Sequence, residues 1–170
     1  TDLVAGVAPE SSAAALEGSR DFVEVDVRLT LDREPVLLHD ATVDRTTDGT
    51  GRVADLTLEE VRRLDAGSWY DAAFAGTPVP RFADFVDRLA AHPGSTALIE
   101  LKGTWHRDDI AGLLRSIYLR GVQDRVVFAS FTARTLTELR AADPAIPRVY
   151  IRRVLPLDPV EVAGRYGAIA

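Results

Sequence analysis

Residues 22–29 read Phe-Val-Glu-Val-Asp-Val-Arg-Leu. Side chains alternate across an extended strand, so Val23, Val25, Val27 and Leu29 share one face while Phe22, Glu24, Asp26 and Arg28 share the other. A wholly aliphatic face has to be covered by other apolar groups. Glu24 and Asp26 then project to the opposite side, about 6.6 Å apart along the strand. Two unpaired carboxylates in a partly buried site would shift their pKa values or cost several kcal/mol each unless a cation compensates them. This strand therefore demands helical cover on one face and positive charge on the other. Residues 97–102, Ala-Leu-Ile-Glu-Leu-Lys, repeat the device: Ala97, Ile99 and Leu101 form the aliphatic face, and Leu98, Glu100 and Lys102 form the other.

Around these runs, short β-branched segments alternate with longer amphipathic ones, the pattern of βα units in a parallel sheet. Strands are expected at 22–29, 35–38, 97–102, 126–131, 149–152 and, just beginning, 168–170. Helices are expected at 58–64, 81–91, 107–120, 132–142 and 159–166. Thr57 with Glu60 three residues on is a capping box for the first helix. Asp158 as N-cap, Pro159 at the first position and Gly167 past the end frame the last. The stretch from Ala41 to Pro80 breaks the rhythm and is rich in Asp, Thr and Gly, and such excursions are usually functional. No repeat or linker divides the chain, so residues 1–170 read as one domain with an insertion at about 41–80.

In a (β/α)8 barrel, active sites are built at the carboxyl ends of the strands. Glu24, Asp26, Glu100 and Lys102 would converge there. The chain has no cysteine, so disulfides, thiolate ligands and a cysteine nucleophile are excluded. Oxygen ligation by Glu24, Asp26 and Glu100 suits Mg²⁺ or Ca²⁺ better than Zn²⁺, and Lys102 supplies a point charge for a phosphate. His39 follows the strand at 35–38 and is expected at a carboxyl strand end, where histidine serves as general acid or base. A hard metal, a lysine and a histidine together suit attack on a phosphoester. Taken singly, each feature has a plainer reading: Glu-x-Asp on a solvent-facing edge strand, and His39 as a loop or cap residue. His92 reads as a solvated helix end, and His106, in the loop after the Glu100 strand, as surface. Trp69, Tyr70 and Phe74 are either core of the excursion or a substrate platform.

A formal net charge of −6 lacks the clustered Lys and Arg excess that nucleic-acid binding needs. Apolar runs are far shorter than the roughly 20 residues of a membrane-spanning helix. No secretory signal is visible, but the chain opens at Thr1 without Met, so the amino terminus does not decide the compartment; the cytoplasm is the default expectation, and oligomeric state is open.

Ala8-Pro9-Glu10, Phe22 to Val27, Pro35 to Asp40, Asp44-Arg45-Thr46-Thr47-Asp48-Gly49-Thr50-Gly51, Leu64-Asp65-Ala66-Gly67-Ser68-Trp69 and Glu100-Leu101-Lys102 occur in an order and spacing that resembles the glycerophosphodiester phosphodiesterases. The resemblance runs from about Ala8 to the last residue. It implies a (β/α)8 TIM barrel that hydrolyses glycerophosphodiesters to glycerol 3-phosphate and an alcohol. It further implies Glu24, Asp26 and Glu100 as metal ligands for Mg²⁺ or Ca²⁺, His39 as one of two acid/base histidines and Lys102 as phosphate contact; beside these, Trp69 is the candidate substrate contact. The excursion matches the insertion that covers the barrel mouth. Family members carry His-Arg-Gly shortly before the position of Pro9, where this chain has Thr1-Asp2-Leu3. The alternative function is therefore a catalytically silent barrel that binds a phosphorylated ligand or a partner. An eight-stranded barrel typically needs about 250 residues, so the barrel is expected to be incomplete here. Further segments are expected before Thr1, near Gly18 to Arg20 and after Ala170.

Overall fold

The computed structural model of the chain describes residues 22–154 and 156–168. Strand β1 (Phe22–Leu29) is followed by β2 (Pro35–Leu37), α1 (Leu58–Arg62), α2 (Phe82–Ala91) and β3 (Thr96–Leu101). Then come α3 (Arg107–Leu119), β4 (Val126–Ser130), α4 (Ala133–Ala142), β5 (Arg148–Tyr150) and α5 (Pro159–Tyr166). The strands form one sheet in the order β2-β1-β3-β4-β5. β1, β3, β4 and β5 are mutually parallel, and the helices between them are the crossovers that parallel pairing requires. Among the described residues this is a partial barrel wall, not closed. The expected strand at 168–170 falls largely outside the described residues, as do the positions around Gly18 to Arg20 and before Thr1. No helix among the described residues is long and apolar enough to cross a membrane.

The aliphatic faces pack as their phase requires. Val23, Val25, Val27, Ile99, Leu101 and Phe128 are buried in one cluster with helix residues. On α2 the buried positions are Phe82, Phe85, Val86 and Leu89, and on α3 Ile110, Leu113, Leu114 and Ile117. Both follow the i, i+3, i+4, i+7 spacing of a single helix face. Each such side chain contributes about 1.5–3 kcal/mol by leaving water. Thr57 and Glu60 form the capping box of α1, and Gly167 closes α5 at φ 60°, the left-handed conformation that glycine adopts at least cost.

One expectation is corrected. The segment 35–38 is not a parallel strand of the wall: β2 pairs antiparallel with β1, with Val27 opposite Leu37 and Leu29 opposite Pro35. β1 outruns β3, whose pairing ends at Val27 and Leu101, and β2 folds back on the overshoot. His39 thus returns to the mouth from above it, and does not emerge from a barrel strand. The hairpin tip between them places Arg33 at φ 64°, unusual for a residue with a Cβ. It is held there by its backbone N–H to the Thr30 carbonyl, 3.0 Å, and by a guanidinium fork on Asp109, with Nε 2.9 Å from Oδ1.

The excursion supplies Val43, Val53, Val61, Ala66 and Val79 to a second, smaller core, which Val36 of β2 and Leu38 complete. Its two sequence signatures stitch to each other. Asp48 N–H donates to the Asp65 carbonyl at 3.1 Å, and Asp65 N–H donates back to Asp48 Oδ1 at 2.8 Å. Asp65 Oδ1 also caps Gly67 N–H at 2.8 Å. Gly67 is obligatory for packing: a Cβ there would lie 1.9 Å from the Phe74 carbonyl oxygen.

Candidate active site

The inward file of β1 and β3 meets at the carboxyl end of the wall. Register sets Asp26 opposite Glu100, and one carboxylate oxygen from each of Glu24, Asp26 and Glu100 lies within 4.8 Å of the others. Asp26 and Glu100 are 8% and 7% exposed, close to the dryness of core residues. Lys102 continues the β3 file, and its Nζ stands 2.9 Å from Asp26 Oδ1 and 2.8 Å from Glu100 Oε1. The ammonium thus bridges two buried carboxylate oxygens, one from each strand.

The electrostatics follow from this crowding. Burial pushes the Glu24 carboxyl up to about 7, with further upward pressure from Asp26 and Glu100 that Lys102 and His39 only partly relieve. Burial pulls the Lys102 ammonium down, but Glu100 and Asp26 reverse this and hold it above its ordinary value. One lysine does not neutralise three carboxylates whose oxygens lie within 4.8 Å of one another. Such a donor set fits a divalent cation taken by oxygen ligands.

Two buttresses were not foreseen from sequence. Trp105 is fully buried, donates its indole N–H to the Lys102 carbonyl at 3.1 Å and its backbone N–H to Thr135 Oγ1 at 3.2 Å. It fixes the strand end that bears the lysine; a lone tryptophan three residues past the Glu-Leu-Lys strand was the signal available. Arg28, last of the inward file of β1, donates Nε and Nη2 to the His39 carbonyl at 2.9 and 2.7 Å.

His39 is half-exposed, with Nδ1 2.7 Å from Asp40 Oδ1, and acts electrostatically on Glu24. Asp40 also accepts from Arg45, 2.5 Å from Nε to Oδ2. The Arg45 and His39 hydrogen bonds hold its carboxyl well below the usual range. His92 ends α2 with Nδ1 2.7 Å from the Arg88 carbonyl, and His106 precedes α3 as its N-cap; neither joins the carboxylates. Trp69, 40% exposed, and Tyr70, 60% exposed, are not core of the excursion. The Trp69 indole donates to the Ala66 carbonyl at 2.9 Å and meets Tyr70 edge-on at 5.9 Å, with Tyr70 in turn 5.9 Å from Phe74.

The sequence profile of the glycerophosphoryl diester phosphodiesterase family matches residues 9–154. A glycerophosphodiester phosphodiesterase of Caldanaerobacter subterraneus subsp. tengcongensis is 35% identical over 142 residues, covering 80% of this chain and 58% of that protein. Among solved structures, an Oleispira antarctica phosphodiesterase in complex with the product sn-glycerol-3-phosphate superposes with a TM-score of 0.87. It is 28% identical over 94% of this chain and 65% of its own. The glycerophosphodiester phosphodiesterase of Agrobacterium tumefaciens str. C58 gives 0.71 at 32% identity, over 82% and 58%. The chain thus spans less than two thirds of the length of these proteins. With the acidic strands, the barrel wall and the excursion all falling inside the matched residues, the chain belongs to the glycerophosphoryl diester phosphodiesterase family.

Proposed function

We propose that this chain carries the site of a divalent-cation-dependent phosphodiesterase that hydrolyses glycerophosphodiesters to glycerol 3-phosphate and an alcohol. The observation that carries the reading is the convergence of Glu24, Asp26 and Glu100 around Lys102 at the carboxyl end of parallel strands. Their oxygen-only donor set favours Mg²⁺ or Ca²⁺. When bound, such a cation supplies Lewis acidity toward the phosphodiester oxygens.

The protein's own groups have separable tasks. Glu24, Asp26 and Glu100 hold the cation. Lys102, the ammonium standing among them, offers its charge to a phosphate oxygen. Water is consumed, the bond from phosphorus to the alcohol oxygen breaks, and the departing alkoxide takes a proton. His39 delivers that proton from Nε2, because Nδ1 faces Asp40. Trp69 presents its exposed ring to the organic part of the substrate, anchored by the bond to Ala66.

The test is release of glycerol 3-phosphate from glycerophosphoethanolamine by the purified protein, stripped with chelator and resupplied with Mg²⁺ or Ca²⁺. Turnover should return with the cation. His39→Ala should lower kcat by about 10² to 10⁴-fold with cation affinity nearly unchanged. Tight cation and phosphate binding without any turnover would replace hydrolysis by binding alone.

A further inference from the structure

We propose that Arg28, Asp40 and Arg45 are positioning residues that clamp His39 at two points, Arg28 on its backbone and Asp40 on its ring. The inference rests on the proposed acid/base role of His39 and adds three residues to which no role has been given.

Arg28 is the only member of the inward file of β1 above the carboxylates. Two of its nitrogens, Nε and Nη2, donate to one oxygen, the His39 carbonyl. A guanidinium is rigid and planar, so two donors on one acceptor fix both distance and direction. The neighbouring main chain is tied to the same strand, since Leu38 N–H donates to the Asp26 carbonyl at 3.1 Å. The histidine backbone is therefore indexed to the strand that carries Glu24 and Asp26.

The ring is fixed separately. Asp40 Oδ1 lies 2.7 Å from Nδ1, and an ionised carboxylate only accepts hydrogen bonds. Nδ1 must then carry the hydrogen, which leaves Nε2 as the nitrogen that exchanges a proton with substrate. Asp40 cannot swing away, because Arg45 grips it with Nε at 2.5 Å and Nη2 at 3.1 Å. Arg45 is itself set in a closed loop: Val43 N–H donates to Gly51 O at 2.9 Å, and Gly51 N–H to Asp44 Oδ2 at 3.0 Å. Thr47 Oγ1 donates to Val43 O at 2.7 Å. The Asp-Arg-Thr-Thr segment thus has work at the site: it delivers the arginine that holds the carboxylate that orients the ring.

The test joins kinetics to a spectroscopic signature. In Asp40→Asn, kcat should fall by about 10 to 100-fold with KM within about twofold, as expected when acid/base geometry alone is lost. Nitrogen-15 spectra of the imidazole should change from the Nδ1–H tautomer to a mixture. Arg45→Ala should shift the same signals by less, and Arg28→Lys should retain more kcat than Arg28→Ala. An unchanged tautomer and kcat in Asp40→Asn, or equal loss in the Arg28 pair, would overturn the clamp. If His39→Ala keeps full activity, the acid/base role fails instead. The nitrogen-15 arm still decides whether Asp40 sets the ring. Arg45, half-exposed, keeps the test open should Asp40→Asn fold poorly.

Discussion

At the level of Asp26 and Glu100 the two faces of β1 and β3 are almost equally dry and chemically opposite. On the outer face Val25, Val27, Ile99 and Leu101 are at most 5% exposed; on the inner face Asp26 and Glu100 are 8% and 7% exposed. Outside, burial stabilises because apolar surface leaves water. Inside, burial costs, because carboxylates lose hydration and recover only a lysine. The same backbone thus spends on one face part of what it gains on the other. Low exposure alone does not mark a core; the sign of the desolvation term does.

The largest expected effect breaks the inner face alone. Glu100→Gln should lower turnover by about 10³-fold or more, since Lewis-acid charge stabilisation is worth several kcal/mol. Denaturation of the cation-free protein should move little or toward higher stability, because a buried charge has gone. Ile99→Ala, one residue away on the other face, should do the reverse: about 2–5 kcal/mol of stability lost to a cavity, with kcat nearly kept in the folded fraction. Calorimetry and steady-state kinetics on the two variants check both. Matching profiles would end the distinction between the faces.

Lys102→Met sharpens it. Without the ammonium, Asp26 and Glu100 face each other unpaired, and the cation-free protein should lose about 3 kcal/mol by the cost of breaking a buried pair. Saturating Ca²⁺ should recover most of this, measured as melting temperature with and without the ion. A gap that the ion leaves untouched would mean the three carboxylates do not share one cation.

The smallest effect is a pH slope. Unfolded, Glu24 ionises near its ordinary 4.5; folded, it keeps its proton to about 7. Between those values the unfolded chain binds fewer protons, so cation-free stability falls as pH rises, by linkage. Cation affinity should rise across the same window with one proton released per ion. Titration calorimetry in two buffers of different ionisation enthalpy counts the proton, and Glu24→Gln should flatten the melting-temperature slope.

The phase of β1 and β3 was legible because a period of two leaves no freedom once one face is aliphatic. Helix ends were legible where a single residue carries the signal, as at Asp158 and Gly167. The direction of β2 was not. Its hairpin connection, Thr30-Leu31-Asp32-Arg33-Glu34, lacks the Gly or Asn that usually signals a tight reversal, and Arg33 tolerates its backbone through Asp109 on a distant helix. Arg148 was equally hidden: it sits in the outer layer at 2% exposure, donating to the carbonyls of Asp143, Pro144 and Ile146. No pattern of alternation predicts a charge buried among backbone oxygens. Trp69 and Tyr70 resisted assignment because an excursion packed into the second, smaller core offers no periodicity to say which aromatic faces out.

The overshoot of β1 has a consequence for how this chain can vary in length. Surface hairpins ordinarily absorb insertions and deletions at little cost. Here the five-residue connection is a spacer in a measuring device: it sets how far β2 runs back down β1 before His39 appears. Each residue added or removed would displace the histidine by about 3.3 Å along the strand, and an odd change would also turn it to the other face. The tip is exposed, yet it is the place where a change in length would be read directly as a change in the spacing between His39 and the carboxylates.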